Sequence, residues 1–348
     1  MGVSGGFPLI ALGGLSDFRF NWWVQNVKTP TEAFSGGLAQ VLPNLVLALI
    51  VVILFLFFSN LQNDTMEKHE DEIRAWFGPI LRPLEALFAA GAVLQSNMAR
   101  GGLGWVVEGI KLIGILFIYG LIFSFLDPSF TFANPGWLLM VVAVMLSVGL
   151  VSIIDDIAVV LYSRSQGGGG SIGINGGNFG VALGSMIFSR FAGLAPGVVF
   201  GSAASAKGEL KGDEDRQNLL GLLATGIAAL IAWLASAFIP QTPGADLWLS
   251  TLVILVFAVG LQTLFFELVP LTGTMGNELF NRHRILWFAV FVGVTFLFLQ
   301  TQLNPNGLIA GMLQQSNMVT FVLIVGIFCL ISGGLWLYFA LRDRQRRV

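Results

Sequence analysis

The feature that most constrains this fold is a series of apolar stretches, each long enough to cross a bilayer as a helix. About 20 apolar residues span the hydrocarbon core, where a helix satisfies its own backbone hydrogen bonds. The sequence predicts spans at approximately 41–59, 108–125, 137–162, 217–238, 247–269, 285–300 and 320–341. We therefore expect an all-α, polytopic integral membrane protein with about seven transmembrane helices.

Composition agrees with this class and excludes others. Of the 348 residues, 55% are hydrophobic and 11% are charged, whereas soluble domains carry about 25% charged residues. Lys+Arg 18 against Asp+Glu 20 leaves no basic excess for a nucleic-acid partner. The single cysteine, Cys329, excludes a disulfide framework and a thiolate metal cluster.

One further apolar stretch, 180–203, is interrupted by Arg190 and by Pro196-Gly197. Irregular backbone at membrane depth is tolerated only against protein, so we expect a re-entrant element; if it spanned, the crossings would number about eight. The glycine-rich stretch before it, 166–178, is predicted to form a loop or a short hairpin.

Positive residues predict the orientation. Four arginines follow the last span, which puts the C-terminus in the cytoplasm: Arg342, Arg344, Arg346 and Arg347. Counting back with 180–203 as a re-entrant element puts the positively charged segment 60–111 inside and the N-terminus outside.

Two capping-box patterns predict helix starts. Thr29-Pro30-Thr31-Glu32 is expected to open a helix that runs into the first span, and Asp64-Thr65-Met66-Glu67 a polar helix. The semi-apolar stretch 76–100 is expected to lie along the membrane surface. Four segments follow: an aromatic interfacial segment (1–40), two spans with a cytoplasmic amphipathic insertion (41–136), a membrane core (137–300), and the last span with its basic tail (301–348).

Two adjacent carboxylates, Asp155 and Asp156, lie in the third predicted span. A charge at membrane depth costs a few kcal/mol or more, so such residues face a bundle interior, water or a partner. We expect a buried polar cluster of Asp155, Asp156, Arg190 and Glu267, in which Arg190 compensates at least one carboxylate. One or both carboxylates could instead cap the glycine-rich loop, or the three acids could form an oxygen-ligand cation site. The alternative function is a transporter or channel that uses Asp155 and Asp156 as an ion or proton site.

Three stretches carry a family resemblance. Asp155–Arg164 aligns with a helix bearing His-Glu-x-x-His, Glu267–Gly276 aligns with Asn-Leu-Leu-Pro-Ile-Pro-Pro-Leu-Asp-Gly, and Ala195–Val199 is similar to Ala-Pro-Gly-Ala-Val. Together they resemble the intramembrane zinc metalloproteases of the site-2 protease family. The resemblance covers about 137–300 and implies a site-2 protease-like core.

The same alignment implies that the zinc chemistry is lost. Asp155 and Val159 stand in place of the two histidines, Met275 in place of the ligand aspartate, and Ile227 and Leu230 in place of a later Pro and Asn. Zinc in this family needs two imidazoles and a carboxylate. We therefore expect no enzyme activity, no catalytic residue, no metal and no cofactor.

The function expected from this pattern is that of a pseudoprotease-like scaffold or anchoring subunit. Its partners would be membrane lipids and other membrane-protein subunits, with no nucleic acid. The stretches 121–128, 155–158 and 189–197 also look similar to uncharacterised bacterial membrane proteins, which implies a bacterial inner membrane.

Overall fold

Long helices and one two-stranded ribbon make up the chain. The computed structural model describes residues 14–95, 104–168, 170–174, 179–191, 204–208, 214–304, 306–307 and 316–346. After a 3-10 turn at Leu15–Asp17, the elements are α1 (Trp22–Asn26), α2 (Pro30–Ala33), α3 (Leu38–Gln95), α4 (Gly104–Ser124), α5 (Trp137–Ser165), β1 (Gly170–Ile174), α6 (Phe179–Phe191), β2 (Ala204–Gly208), α7 (Glu214–Ser236), α8 (Ala245–Glu267), α9 (Met275–Arg282), α10 (Arg284–Phe298) and α11 (Ser316–Arg346).

Six helices in the described part of the chain are long and apolar enough to cross a membrane: α3, α5, α7, α8, α10 and α11. They confirm the prediction of a multi-pass α-helical membrane protein. In α4 the described apolar part, Ile113–Ser124, is shorter. Hydropathy located these helices well because the bilayer imposes one length and one composition on every span.

Three helices, α5, α7 and α8, pack against one another and form what we call the three-helix core. The indole Nε1 of Trp248 in α8 donates to the carbonyl oxygen of Leu139 in α5 at 2.9 Å, so these helices start at the same end. Helix α7 runs the opposite way, since its Gly226 faces Leu264 of α8 while its later residue Ala229 faces the earlier Gly260. A Cβ on Gly260 would lie 2.9 Å from the alanine Cβ. Small residues let the helices approach closely, as in many membrane bundles.

The other spans surround this core. Helix α4 runs antiparallel to α5, and Gly120 lies so close to α5 that a Cβ would be 2.7 Å from the carbonyl oxygen of Val141. Helices α3 and α11 run parallel and pair through Phe55 and Phe328, with ring centroids 5.1 Å apart.

The bundle has two chemically different ends. At the aromatic end, residues 14–33 pack across the helix termini: the indole of Trp233 donates to the carbonyl oxygen of Lys28 at 2.8 Å, and the Lys28 amide donates to Thr301 at 2.9 Å. At the charged end, Arg342 of α11 bonds to Glu72 of α3. The N-terminal segment therefore lies at the end of the bundle opposite Arg342.

Both capping-box predictions need correction. The box at Thr29 forms, with the Thr29 amide donating to Glu32 Oε2 at 2.9 Å, but α2 ends at Ala33 and a turn separates it from α3. The box at 64–67 does not form: these residues lie inside α3, and the Thr65 hydroxyl donates back to the carbonyl oxygen of Leu61 at 2.8 Å. A helix that is already propagating needs no new start, so the local signal is overridden.

The glycine-rich stretch forms a strand with a distant partner. Strands β1 and β2 pair antiparallel, in register from Gly170 opposite Gly208 to Ile174 opposite Ala204. The predicted loop or hairpin is therefore a ribbon closed across α6, and it adds two strands to an otherwise helical fold. At 13 residues, α6 is about 20 Å long, which is shorter than the hydrocarbon core. The Ala195–Val199 motif lies outside the described residues.

Candidate functional site

Asp155 of α5 and Glu267, the last residue of α8, form an acidic pair at one end of the three-helix core, since their carboxyl groups lie close enough to interact electrostatically. Asp155 is half-buried there and Glu267 is exposed. Gly221 of α7 makes room for Asp155: a Cβ on this glycine would lie 2.3 Å from Asp155 Oδ1. All three helices thus contribute to the site. The exposed side chain of Glu267 does not fit the prediction of a fully buried cluster.

The C-terminus of α8 brings Met275 to the acidic pair. After Glu267 the chain reverses, and the backbone amide of Met275, the first residue of α9, lies near the Glu267 carboxyl group. Thr274 caps α9 by accepting from the amide of Asn277 at 3.4 Å, and its hydroxyl lies 2.6 Å from the carbonyl oxygen of Val269. The loop between the two helices is therefore fixed at both ends.

Arg190 does not belong to this site. The side chain is exposed, and the charge with which it interacts is Asp127, in the turn that follows α4. The prediction that Arg190 is buried is therefore wrong, since its side chain, in the last turn of α6, is exposed. Asp156 is buried, with 3% of its surface exposed, on the face of α5 next to that of Asp155.

Asp127 is itself a buried carboxyl group outside the spans. Its Oδ1 accepts from the amide of Ser129 at 2.8 Å and from the hydroxyl of the same residue at 2.6 Å. Burial raises the pKa of Asp127, while the bonds from Ser129 and the charge of Arg190 oppose that rise.

The positions aligned with the site-2 protease motifs divide into two groups. Asp155 and Met275 both border Glu267, and Val159 is buried one turn beyond Asp155. Ile227 and Leu230 instead lie on the outer surface of α7, with 58% and 42% of their surfaces exposed. The first group therefore lies near the end of α8, whereas the second group faces outward from α7.

The chemistry open to the acidic pair is limited by what surrounds it. Within the described ranges, no three His, Cys, Asp or Glu side chains converge as a metal site would require. His69 lies at the charged end, with Nε2 3.2 Å from a carboxyl oxygen of Asp343. Two neighbouring carboxyl groups in apolar surroundings can share a proton or hold a cation.

A buried amide cluster was missed by the sequence analysis. Asn44 Nδ2 donates to Gln300 Oε1 at 2.7 Å, and Asn304 Nδ2 donates to Asn44 Oδ1 at 2.8 Å. The cluster connects α3 to a π-helical turn, Leu299–Leu303, that extends α10. The available signal was the run of three amides, Gln300, Gln302 and Asn304, directly after an apolar span.

A clamp between α3 and α11 was also missed. Arg342 bonds to Glu72 and lies over the ring of Phe339, 4.6 Å from its centroid. His69 stacks on the same Phe339 ring, with the two ring centroids 4.1 Å apart. The backbone of His69 takes non-helical angles (φ −133°, ψ 23°), which kink α3. These residues are about 270 positions apart, so no local pattern indicates the contact.

No family model, curated protein or solved structure matches this chain. The family resemblance therefore stays a prediction.

Proposed function

We propose that this protein is a non-catalytic membrane scaffold, an anchoring subunit that binds transmembrane partners. The observation that carries the proposal is the composition of the acidic pair's surroundings. Two positions aligned with zinc ligands, Asp155 and Met275, border Glu267, and neither is a histidine. Helices that bring these positions together without imidazoles lack the nitrogen ligands of the family's zinc centre.

The surface proposed for the partner is the outer stripe of α7. Four exposed apolar side chains follow a helical spacing of four, three and four residues: Leu223, Ile227, Leu230 and Leu234. The stripe lies on a core helix whose opposite face holds the acidic pair through Gly221. A partner helix packed here would contact the core directly and leave its interior closed.

Copurification from mild detergent tests the scaffold proposal. We expect a stoichiometric membrane protein to accompany the wild-type chain and to be lost from Ile227→Trp/Leu230→Trp, which adds bulk to the stripe. The matched control, Leu323→Trp/Leu330→Trp, alters exposed residues of α11 and should retain the partner. A wild-type chain that is solitary in mild detergent, or equal loss from both variants, contradicts the proposal.

We also propose a bacterial inner-membrane location with the charged end in the cytoplasm and the aromatic end outside, as the positive residues favour. Crossings by α3, α4, α5, α7, α8, α10 and α11 give this arrangement. The excursion 175–203 is then re-entrant. Pairing of β1 with β2 supports this topology, because the chain leaves and returns at adjacent positions.

A transporter or channel is the second candidate, favoured by the acidic pair itself. Carboxyl groups that bind a proton or cation during transport must be reached by water at some stage. The test uses Asp155→Cys in a Cys329→Ser background and a membrane-impermeant maleimide. The scaffold predicts no labelling of a sealed core, whereas rapid labelling that cations suppress would favour transport.

A further inference from the structure

At the charged end, α3 and α11 border a half-open cavity of about 370 Å³. Asp64 and Lys68 line it from α3, while Trp336, Asp343 and Arg344 line it from α11. Ala340 forms part of the wall, and its small side chain leaves the space there unfilled. The volume falls in the range of about 300–1,000 Å³ that small-ligand sites occupy.

The charges around this cavity are balanced. Two carboxyl groups, Asp64 and Asp343, face two cations, Lys68 and Arg344. Lys68 Nζ lies 2.5 Å from Asp64 Oδ1, and His69 Nε2 lies 3.2 Å from Asp343 Oδ2. A ligand that carries both signs would find a partner for each, whereas a purely anionic ligand would meet both carboxylates.

The cavity also adjoins lipid-facing surface. On α11 the side chains of Leu330 and Leu337 are exposed and apolar, and the exposed Trp336 lines the cavity mouth. Tryptophan is enriched where the hydrocarbon core meets the headgroup layer. A molecule with a polar head in the cavity can therefore lay its acyl chains along α11.

We propose that this cavity binds the headgroup of a zwitterionic phospholipid with a primary amine, phosphatidylethanolamine. Lys68 and Arg344 bind the phosphate, and the ammonium group donates to Asp64 and Asp343 beside the face of Trp336. A choline headgroup has no N–H to donate to these carboxylates. This inference is independent of the scaffold function, since it concerns the charged end and not α7.

Native mass spectrometry of the full, delipidated chain tests the proposal. Separate titrations with dioleoyl phosphatidylethanolamine, phosphatidylglycerol and phosphatidylcholine measure the fraction of chains that carry one lipid. The wild-type chain should bind phosphatidylethanolamine about tenfold more tightly than either other lipid, since a charge-assisted hydrogen bond contributes about that factor. Equal or tighter binding of phosphatidylglycerol or phosphatidylcholine overturns the proposal without any variant.

Variants locate the site. Lys68→Ala/Arg344→Ala should lower phosphatidylethanolamine affinity about tenfold or more, and Ala340→Phe, which fills the cavity while retaining every charge, should do the same. Arg284→Ala is the control: it removes a cation that lies over Phe280 at the same end of the bundle, outside the cavity. Unchanged binding by the first two variants, or equal loss from the control, contradicts the assignment.

Discussion

Gly276 illustrates how single residues determine the geometry of the acidic site. A Cβ at this position would lie 2.3 Å from the carbonyl oxygen of Leu268 and 2.8 Å from that of Val269, and backbone atoms cannot move aside cheaply. Only glycine allows α9 to pack against the end of α8, which brings the Met275 amide to Glu267.

We therefore expect Gly276→Ala to lower the free energy of unfolding by about 1–3 kcal/mol, the usual cost of overpacking. Unfolding in mixed micelles with increasing SDS measures the change. Gly293→Ala is the matched control, because a Cβ there meets nothing within 4 Å and alanine favours the helix by up to about 1 kcal/mol. Equal stability of the two variants would show that the packing at Gly276 is not tight.

Asp127 predicts a pH dependence. Because burial raises its pKa in the folded protein, the folded state retains the proton over a range where the unfolded state has released it. Stability should therefore fall as pH rises from the ordinary aspartate pKa to the raised value. Thermal midpoints measured across this range should fall less steeply in Asp127→Asn, and an unchanged slope would contradict the role of this group.

The positions of single residues were predicted best where the bilayer restricts the places that a side chain can occupy. Asp155 and Glu267 lie close enough to interact, as expected of carboxyl groups in apolar spans, but Glu267 is exposed and not buried as predicted. Arg190 was assigned to the same cluster although its neighbour is Asp127. The partner of Arg190 depends on where α6 ends relative to α4, and no local sequence pattern predicts that position.

At the level of elements, neutral polar side chains join helices as firmly as charged ones. Asn44 of α3 both donates to Gln300 and accepts from Asn304, so a single side chain connects α3 to the π-helical turn. Such turns occur often where a helix must adjust its packing. Hydropathy predicted both helices and missed the connection, because uncharged amides barely alter a span's hydropathy.

Asn44→Leu should lower the free energy of unfolding by about 1–3 kcal/mol, because it leaves buried amide groups of Gln300 and Asn304 without their partner. The SDS titration in mixed micelles also measures this effect. Thr263→Val is the control: its hydroxyl bonds to the carbonyl oxygen of Val259 in the same helix, and its loss should matter little. Equal effects would contradict a joining role for Asn44.

At the scale of the whole molecule, the topology is set by which helix ends lie at the same end of the bundle. Apolar length predicted the spans, and positive residues predicted which connections share an end. Neither indicated that β1 pairs with a strand beyond α6, since the only alternating apolar residues in the glycine-rich stretch, Ile172 and Ile174, are too few to mark a partner. That pairing supports a re-entrant excursion in place of an eighth crossing.

Disulfide trapping in the membrane tests this topology. In a Cys329→Ser background, Ser171→Cys/Lys207→Cys places cysteines at paired positions of the ribbon and should crosslink readily under mild oxidation. Ser171→Cys/Ala204→Cys is offset by three residues, about 10 Å along the strand, and should crosslink poorly. No crosslink at the paired positions would mean that the two strands do not meet, as a full crossing by the excursion would require.

The most direct test of the scaffold proposal measures the mass of the protein together with its bound partners. Native mass spectrometry of the tagged chain in nanodiscs cut from its own membrane gives its bound protein mass and metal content in one measurement. We expect the chain together with one stoichiometric membrane protein and without stoichiometric zinc. A chain that carries one tightly bound zinc ion, or that has no protein partner, would contradict the account.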